Sequence, residues 1–296
     1  MGRAVSIQGI VTPPAEAKVS VYDRGFLYGD GVFETLRTYR GVPFALEEHL
    51  ARLEASARLV GIRLPVTLDV LAREIADVIA AAGDGDCSVR IMISRGEGPM
   101  GLDPSRAASP LRVILVEPLA PMPAAIYRNG VACVTERTER AADAAPGAKV
   151  TNYLAGMLAL QRAKARGAHE ALLLDASGHV LEGVTSNFFL VIEGALLTAK
   201  TGSILEGITR AYVLRCAASL GIEAREGTIG SAEIEAASEA FLTSSLREIL
   251  PVVRVDDTTI GDGSPGSITR RLHVALREVA NVADEPLPWV SAGPAA

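Results

Sequence analysis

Four short stretches of the chain hold the residues whose types and spacing could do chemistry. Lys149 lies among small residues, in Ala-Lys-Val-Thr, just ahead of an Ala/Leu-rich stretch. A lysine amine acts as nucleophile or base only when deprotonated, and a partly desolvated pocket moves it that way. Gly207-Ile208-Thr209 opens a helical pattern; the free N–H groups of a first helical turn bind anions, and the Thr209 hydroxyl adds a donor. Arg52 rides on an amphipathic stretch and suits a bidentate grip on phosphate or carboxylate. Glu182 stands just before an apolar run. On residue type alone each stays open: the lysine, arginine and glutamate fit solvated surface charges, and the threonine fits a plain N-cap.

Other chemistries find less support. Gly96, Gly98, Gly101 and Gly261, Gly263, Gly266 both satisfy the dinucleotide glycine spacing, but neither has the strand–helix–strand context that gives the spacing meaning. Both read as glycine turns. The four histidines, His49, His169, His179 and His273, are isolated, so no metal site is expected. No serine sits in a nucleophile elbow. A net charge of −6 argues against a nucleic-acid footprint. Cys87, Cys133 and Cys216 are scattered and odd in number, as in a reduced, cytoplasmic protein. No apolar run reaches the length of a membrane span.

The elements that must position these groups are legible from periodicity. Strands are expected at 4–11 and 17–22, joined by a Pro13-Pro14 turn, and at 31–39, ending in an Arg40-Gly41 hairpin. Leu46, Leu50, Leu53, Ala57 and Val60 mark one face of a helix, and a second helix runs over 67–82. Buried strands are expected at 88–94 and 111–117, and the prolines at 118, 121 and 123 suggest a linker. Beyond it come strands at 130–135, 170–175, 179–181, 187–192, 240–243 and 251–255, with helices at 151–166, 209–220 and 268–282. Strands outnumber helices without regular alternation, so the fold class is mixed α/β, of the α+β kind.

From Glu182 the chain reads EGVTSNFFLVIEGALLTAKTGSILEGITR, which closely resembles the signature of class-IV aminotransferases. The match takes in Glu182, Asn187, Phe188-Phe189, Leu196, Thr198, Leu205, Gly207, Ile208 and Arg210. AKVTNYLAGMLAL at 148–160, HLARL at 49–53 and TSSLREILPV at 243–252 resemble further segments of the family, in order. The resemblance implies a two-domain, fold-type-IV, D-amino-acid-aminotransferase-like architecture with pyridoxal 5'-phosphate between the domains. Residues 1–117 would form a smaller N-terminal domain, 118–124 the linker and 125–296 a larger cofactor-binding domain. It further implies a homodimer acting on small amino and 2-oxo acids. Lys149 would carry the cofactor as an imine, and Tyr153, four residues on and one helical turn along, would meet its phenolic oxygen. Glu182 would hold the ring nitrogen protonated. Ile208, Thr209, Arg52 and Ser245 would bind the phosphate.

Substrate-side positions divide the family. Tyr28, Phe33 and Arg37 resemble the branched-chain type, and Arg90 matches an arginine that type uses near the substrate carboxylate. Ser88 stands where that type has tyrosine, and Thr35, in place of glycine, is more like aminodeoxychorismate lyase. The loop SRGEGPMGL at 94–102 leans toward the lyase and D-amino-acid branches, yet Met100 and Leu102 replace the arginine and histidine of typical D-amino-acid enzymes. Leu246 and Arg247 replace two alanines, and either Arg247 or Arg37 is expected to pair with a substrate carboxylate. An aminotransferase of branched-chain type is therefore expected, with the lyase and D-amino-acid or (R)-amine transaminases as alternatives.

Overall fold

The computed structural model describes residues 1–107, 109–120, 122–137 and 145–290. Within them the chain forms two compact units, Met1–Ala120 with Ala141–Tyr153, and Pro121–Arg140 with Leu154–Ala296.

The first unit is a six-stranded antiparallel sheet with two helices on one face. Its strands are β1 (Ala4–Ile7), β2 (Ile10–Thr12), β3 (Gly31–Tyr39), β4 (Val42–Pro43), β5 (Cys87–Ser94) and β6 (Leu111–Pro118), in the order β2-β1-β6-β5-β3-β4. Strict alternation on β5 sends Cys87, Val89, Ile91 and Ile93 to the core. They meet Val32 and Leu36 of β3, Leu50, Leu53 and Ala57 of helix α2 (Leu46–Leu59), and Leu71, Ile75 and Val78 of helix α3 (Leu68–Ala82). Phe33, Thr35 and Arg37 alternate onto the opposite face of β3, across from Met92, Arg90 and Ser88 of β5.

Two expectations for this unit are corrected. The opening strand breaks into a β1–β2 hairpin at Gln8 and Gly9, both at positive φ, the conformation a two-residue hairpin turn demands. Residues 17–22 are not a strand: Val19 and Val21 are largely exposed, so their alternation reports no core. A short helix, α1 (Arg24–Tyr28), follows instead, capped by the Asp23 carboxylate, which accepts the Gly25 N–H. The two units divide between Ala120 and Pro121, within the proline-rich span. Pro118 ends β6 and Ala124 opens helix α4 (Ala124–Asn129), while Pro121 lies outside the described residues, as do 138–144 and 291–296 of the C-terminal span. The segment around Lys149 returns to the first unit, which is therefore discontinuous.

The second unit centres on a mixed nine-stranded sheet: β7 (Val131–Arg137), β8 (Glu170–Leu174), β9 (Val180–Gly183), β10 (Asn187–Ile192), β11 (Ala195–Ala199), β12 (Ala224–Gly227), β13 (Glu239–Ser244), β14 (Glu248–Val255) and β15 (Thr258–Thr259). The order is β12-β11-β10-β13-β14-β7-β8-β9, with β15 on β14. Pairs β11–β12, β14–β7 and β7–β8 are parallel. Phe188, Leu190, Ala240, Leu242, Leu250 and Val252 build one core face; on the other, Phe189 stacks on Phe241 at 4.9 Å. Helices α5 (Leu154–Ala165), α6 (Ile208–Ser219), α7 (Ser231–Ala236) and α8 (Ser267–Val279) complete the unit. Gly266 does precede a helix, but the anion at that helix start is the chain's own Glu239, which accepts the Ile268 and Thr269 N–H groups at 3.0 and 2.7 Å.

Candidate active site

In the first unit the site is built on β3 and α2. The Lys149 segment runs in extended form beside the start of β3: the Phe33 N–H donates to Lys149 O at 3.0 Å and the Thr151 N–H to Gly31 O at 2.9 Å. Ser56, buried on α2, accepts the Lys149 N–H at 3.1 Å. Both backbone groups of the lysine are thus fixed. Its Nζ lies 4.7 Å from the centre of the Phe33 ring, and the Tyr153 ring meets the same ring edge-on at 5.3 Å. Tyr153 gets there without the expected helical turn. Helix α5 begins only at Leu154, and the Thr151 hydroxyl, instead of capping it, donates to Gly29 O and Gly31 O at 2.7 and 3.2 Å.

Phe33 also gathers Arg90, whose guanidinium carbon lies 4.9 Å from the ring centre while Nε donates to Thr35 Oγ1 at 3.3 Å. Lys149, Tyr153, Phe33, Thr35 and Arg90 therefore form one cluster. Arg37, on the same face of β3, lies over the Tyr39 ring and faces Asp86 at 3.9 Å. The Tyr28 hydroxyl accepts the Gly101 N–H at 2.8 Å. Buried Arg24 holds the same loop through Gly101 O and Leu102 O, leaving Met100 and Leu102 exposed.

Behind the cluster, Arg52 grips Glu34 in a two-point fork, Nε to Oε1 at 2.6 Å and Nη2 to Oε2 at 2.9 Å. His49 Nδ1 lies 2.7 Å from the same Oε2. Glu34 and His49 are essentially inaccessible to solvent. Burial pushes the Glu34 carboxyl up, but Arg52 and His49 together outweigh it and hold it at about 2. Burial pushes His49 down, more than Glu34 raises it. The spacing of His49, Arg52 and Ser56 puts all three on one face of α2. Glu34, His49 and Ser56 escaped the sequence reading. The available signal was an acid at the inward position of a strand, between Val32 and Leu36, which requires a cation on the facing helix.

In the second unit, Glu182 sits in β9, nearly buried. Its Oε2 accepts the Leu205 N–H at 3.1 Å and faces Asn187 Nδ2 at 3.4 Å. Ile208 and Thr209 open α6 as expected; Gly207 is its N-cap, no side chain caps it and no acid lies in its first turn. Its leading N–H groups therefore lack intrahelical acceptors. Ser245 lies half-buried in the turn between β13 and β14, beside Leu246.

Arg247, from the same turn, is engaged by the chain's own groups. Its Nη2 donates to Glu170 Oε2 at 3.0 Å and Thr185 Oγ1 at 2.6 Å, and its Nε to Ser244 Oγ at 3.1 Å. Glu170 is buried on β8, and a buried carboxylate demands such a partner. The Tyr127 hydroxyl donates to Arg247 O at 3.0 Å, pinning the turn from below.

The family described as amino-transferase class IV matches residues 31–255. A Methanocaldococcus jannaschii protein provisionally named a branched-chain-amino-acid aminotransferase is 36% identical over 278 residues, 93% of this chain and 96% of its own. The T.th. branched-chain amino acid aminotransferase, solved with pyridoxamine 5'-phosphate, superposes with a TM-score of 0.89 at 32% identity, over 94% of each chain. The 4-amino-4-deoxychorismate lyase of Pseudomonas aeruginosa superposes with a TM-score of 0.80 at 33% identity, covering 93% of this chain and 98% of that one.

Proposed function

The chain belongs to the class-IV aminotransferases, and from that premise we propose that it uses pyridoxal 5'-phosphate on Lys149 to move an amino group from a branched-chain amino acid to a 2-oxo acid. The observation that carries this reading is the lysine itself, fixed through both backbone groups with its amine over Phe33 and Tyr153 beside the same ring. When bound, the cofactor supplies an aldehyde that condenses with amines and a ring that accepts the electron pair left as the Cα proton departs.

The donor set fits that group. An amine, a nearly buried carboxylate and an uncapped helix start are what an aldehyde, a ring nitrogen and a phosphate require. Lys149, with its backbone held, moves only its side chain, and its amine takes the Cα proton and returns it. Tyr153 holds a proton at the phenolic oxygen. Glu182 holds one at the ring nitrogen. The Ile208 and Thr209 N–H groups and the Ser245 hydroxyl bind phosphate oxygens, and Arg52 adds charge in a plane fixed by Glu34. On the substrate side, Phe33 and Thr35 form the wall, and Arg90 takes a carboxylate. Tyr28 orders the 96–102 loop, and Leu246 gives the β13–β14 turn an apolar side chain.

We also propose a cytoplasmic homodimer. Three unpaired, buried cysteines suit a reducing compartment. Exposed Val21, Tyr22, Phe26, Met100 and Leu102 suit burial against a second copy. No helix among the described residues is long and apolar enough to cross a membrane.

One observation favours a second reading. Thr35, the lyase-like residue, bonds Arg90 within the Phe33 cluster. Spectra of the loaded protein without 2-oxo acid separate the two. L-leucine and L-glutamate should each bleach the yellow form. If only aminodeoxychorismate reacts, releasing pyruvate while the yellow form persists, the lyase reading replaces this one. Bleaching by D-alanine or (R)-1-phenylethylamine alone places the protein in those branches instead.

A further inference from the structure

Asn187 opens β10 nearly buried, and no step above uses it. Its Nδ2 faces two acceptors, Glu182 Oε2 at 3.4 Å and Leu205 O at 2.9 Å. An amide nitrogen carries two protons and can serve both, whereas the flipped amide would set an oxygen against two oxygens. The orientation is therefore chemically determined. Leu205 returns its own N–H to the same Glu182 Oε2, closing a ring of three bonds between a β9 carboxylate, a β10 amide and the turn that leads into α6.

The other edge of the amide reaches that turn as well. A Cβ at Gly207 would lie within 1.9 Å of Asn187 Oδ1 and 3.1 Å of its Cγ. Gly207 has φ −66°, open to any residue, so glycine is needed there for space and not for backbone freedom. Asn187 thus touches both the carboxylate and the N-cap of the helix.

We infer that Asn187 is a positioning residue that ties the Glu182 carboxylate to the Leu205–Gly207 turn, so that the ring-nitrogen partner and the phosphate-binding helix start are set as one unit. The inference rests on the cofactor reading above, in which Glu182 and the α6 start address opposite ends of one molecule. Removing the amide leaves the Glu182 carboxylate and the Leu205 carbonyl each with one fewer donor. The effect should therefore reach the phosphate, which Asn187 itself does not bind.

The test is equilibrium titration of pyridoxal 5'-phosphate into wild-type, Asn187→Ala, Asn187→Asp, Gly207→Ala and the Asn187→Ala/Gly207→Ala double variant, with folding followed by circular dichroism. Losing a hydrogen bond to a charged group should loosen the cofactor roughly ten- to hundredfold in Asn187→Ala. Asn187→Asp, although the same shape, should be looser still, because it sets a second carboxylate against Glu182. A purely space-filling role predicts the reverse order. Gly207→Ala should match Asn187→Ala, and the double variant should be no worse than either single, because the new Cβ acts by displacing the amide. The ³¹P resonance of the cofactor at saturation should move in Asn187→Ala.

Wild-type affinity in Asn187→Asp, additive losses in the double variant, or an unmoved ³¹P signal would overturn the inference and leave the cofactor reading intact. Wild-type protein with no cofactor on Lys149 after borohydride reduction would overturn the reading itself. Gly207→Ala probes the contact from the helix side, so failure of one variant to fold still leaves a decisive measurement.

Discussion

Glu34 shows what a single residue can impose. A carboxylate with no solvent access is tolerable only because Arg52 and His49 both meet it. Replacing it by Gln strips a largely buried guanidinium of its counter-charge, a change that typically costs about 3–5 kcal/mol. We expect urea unfolding of Glu34→Gln to show a loss of that order, with weaker cofactor binding because Arg52 is no longer held in plane. Arg247 carries the matching prediction in the second unit. Arg247→Ala should destabilise by about 3–5 kcal/mol, since it abandons Glu170, yet leave unchanged which amino donor bleaches the loaded protein. A switched donor preference would restore Arg247 as a substrate residue. Lys149, Arg52 and Glu182 stand out in the sequence because each sits in a segment that resembles the family. Glu34, His49 and Ser56 do not, because their roles depend on a strand and a helix meeting face to face. The Arg247–Glu170 pair was not legible because its two members lie far apart in sequence.

Elements were legible where apolar periodicity reports a real core. Strand β5 and helices α2 and α3 fall close to their expected bounds because their apolar faces are buried. The same rule failed at 17–22, where apolar residues point to solvent, and at β12, which is mostly exposed and held by parallel pairing with β11. The start of α5 was misplaced because Thr151 and Val150 are used by β3. The start of α8 offers a test at this scale. A Cβ at Gly266 would lie 1.9 Å from Glu239 Cδ, so Gly266→Ala must displace the carboxylate that caps the helix. Loss of a cap costs about 0.5–2 kcal/mol, and the melting temperature of Gly266→Ala should fall accordingly; an unchanged value would show that Glu239 caps nothing of consequence.

For the whole molecule, titrating groups set a pH window. Glu34 is held at about 2, below its ordinary 4.5, so the unfolded chain binds the proton first as acidity rises. Its contribution is complete above about pH 4.5 and lost as pH falls toward 2. His169 is pushed down to about 4, first by burial and then by Lys164 and Arg247. It stays neutral in the fold while the unfolded chain protonates from about pH 6.5, so stability declines from there down to pH 4. In His169→Asn that upper part of the decline should become shallower, the share of His49, also pushed down by burial, remaining, and the part below pH 4.5 should persist; an identical profile in the variant would leave His169 without a part in the decline. The discontinuous first unit was illegible for the reason these couplings are: Lys149 joins β3 through backbone bonds that no side-chain pattern announces.

The most direct measurement is borohydride reduction of the protein loaded with pyridoxal 5'-phosphate, followed by mass mapping of the adduct. One phosphopyridoxyl group on the peptide containing Lys149, and none after loading Lys149→Ala, is the expected result. An adduct on another lysine, or no adduct at all, would contradict the assignment of Lys149 and with it the proposed chemistry.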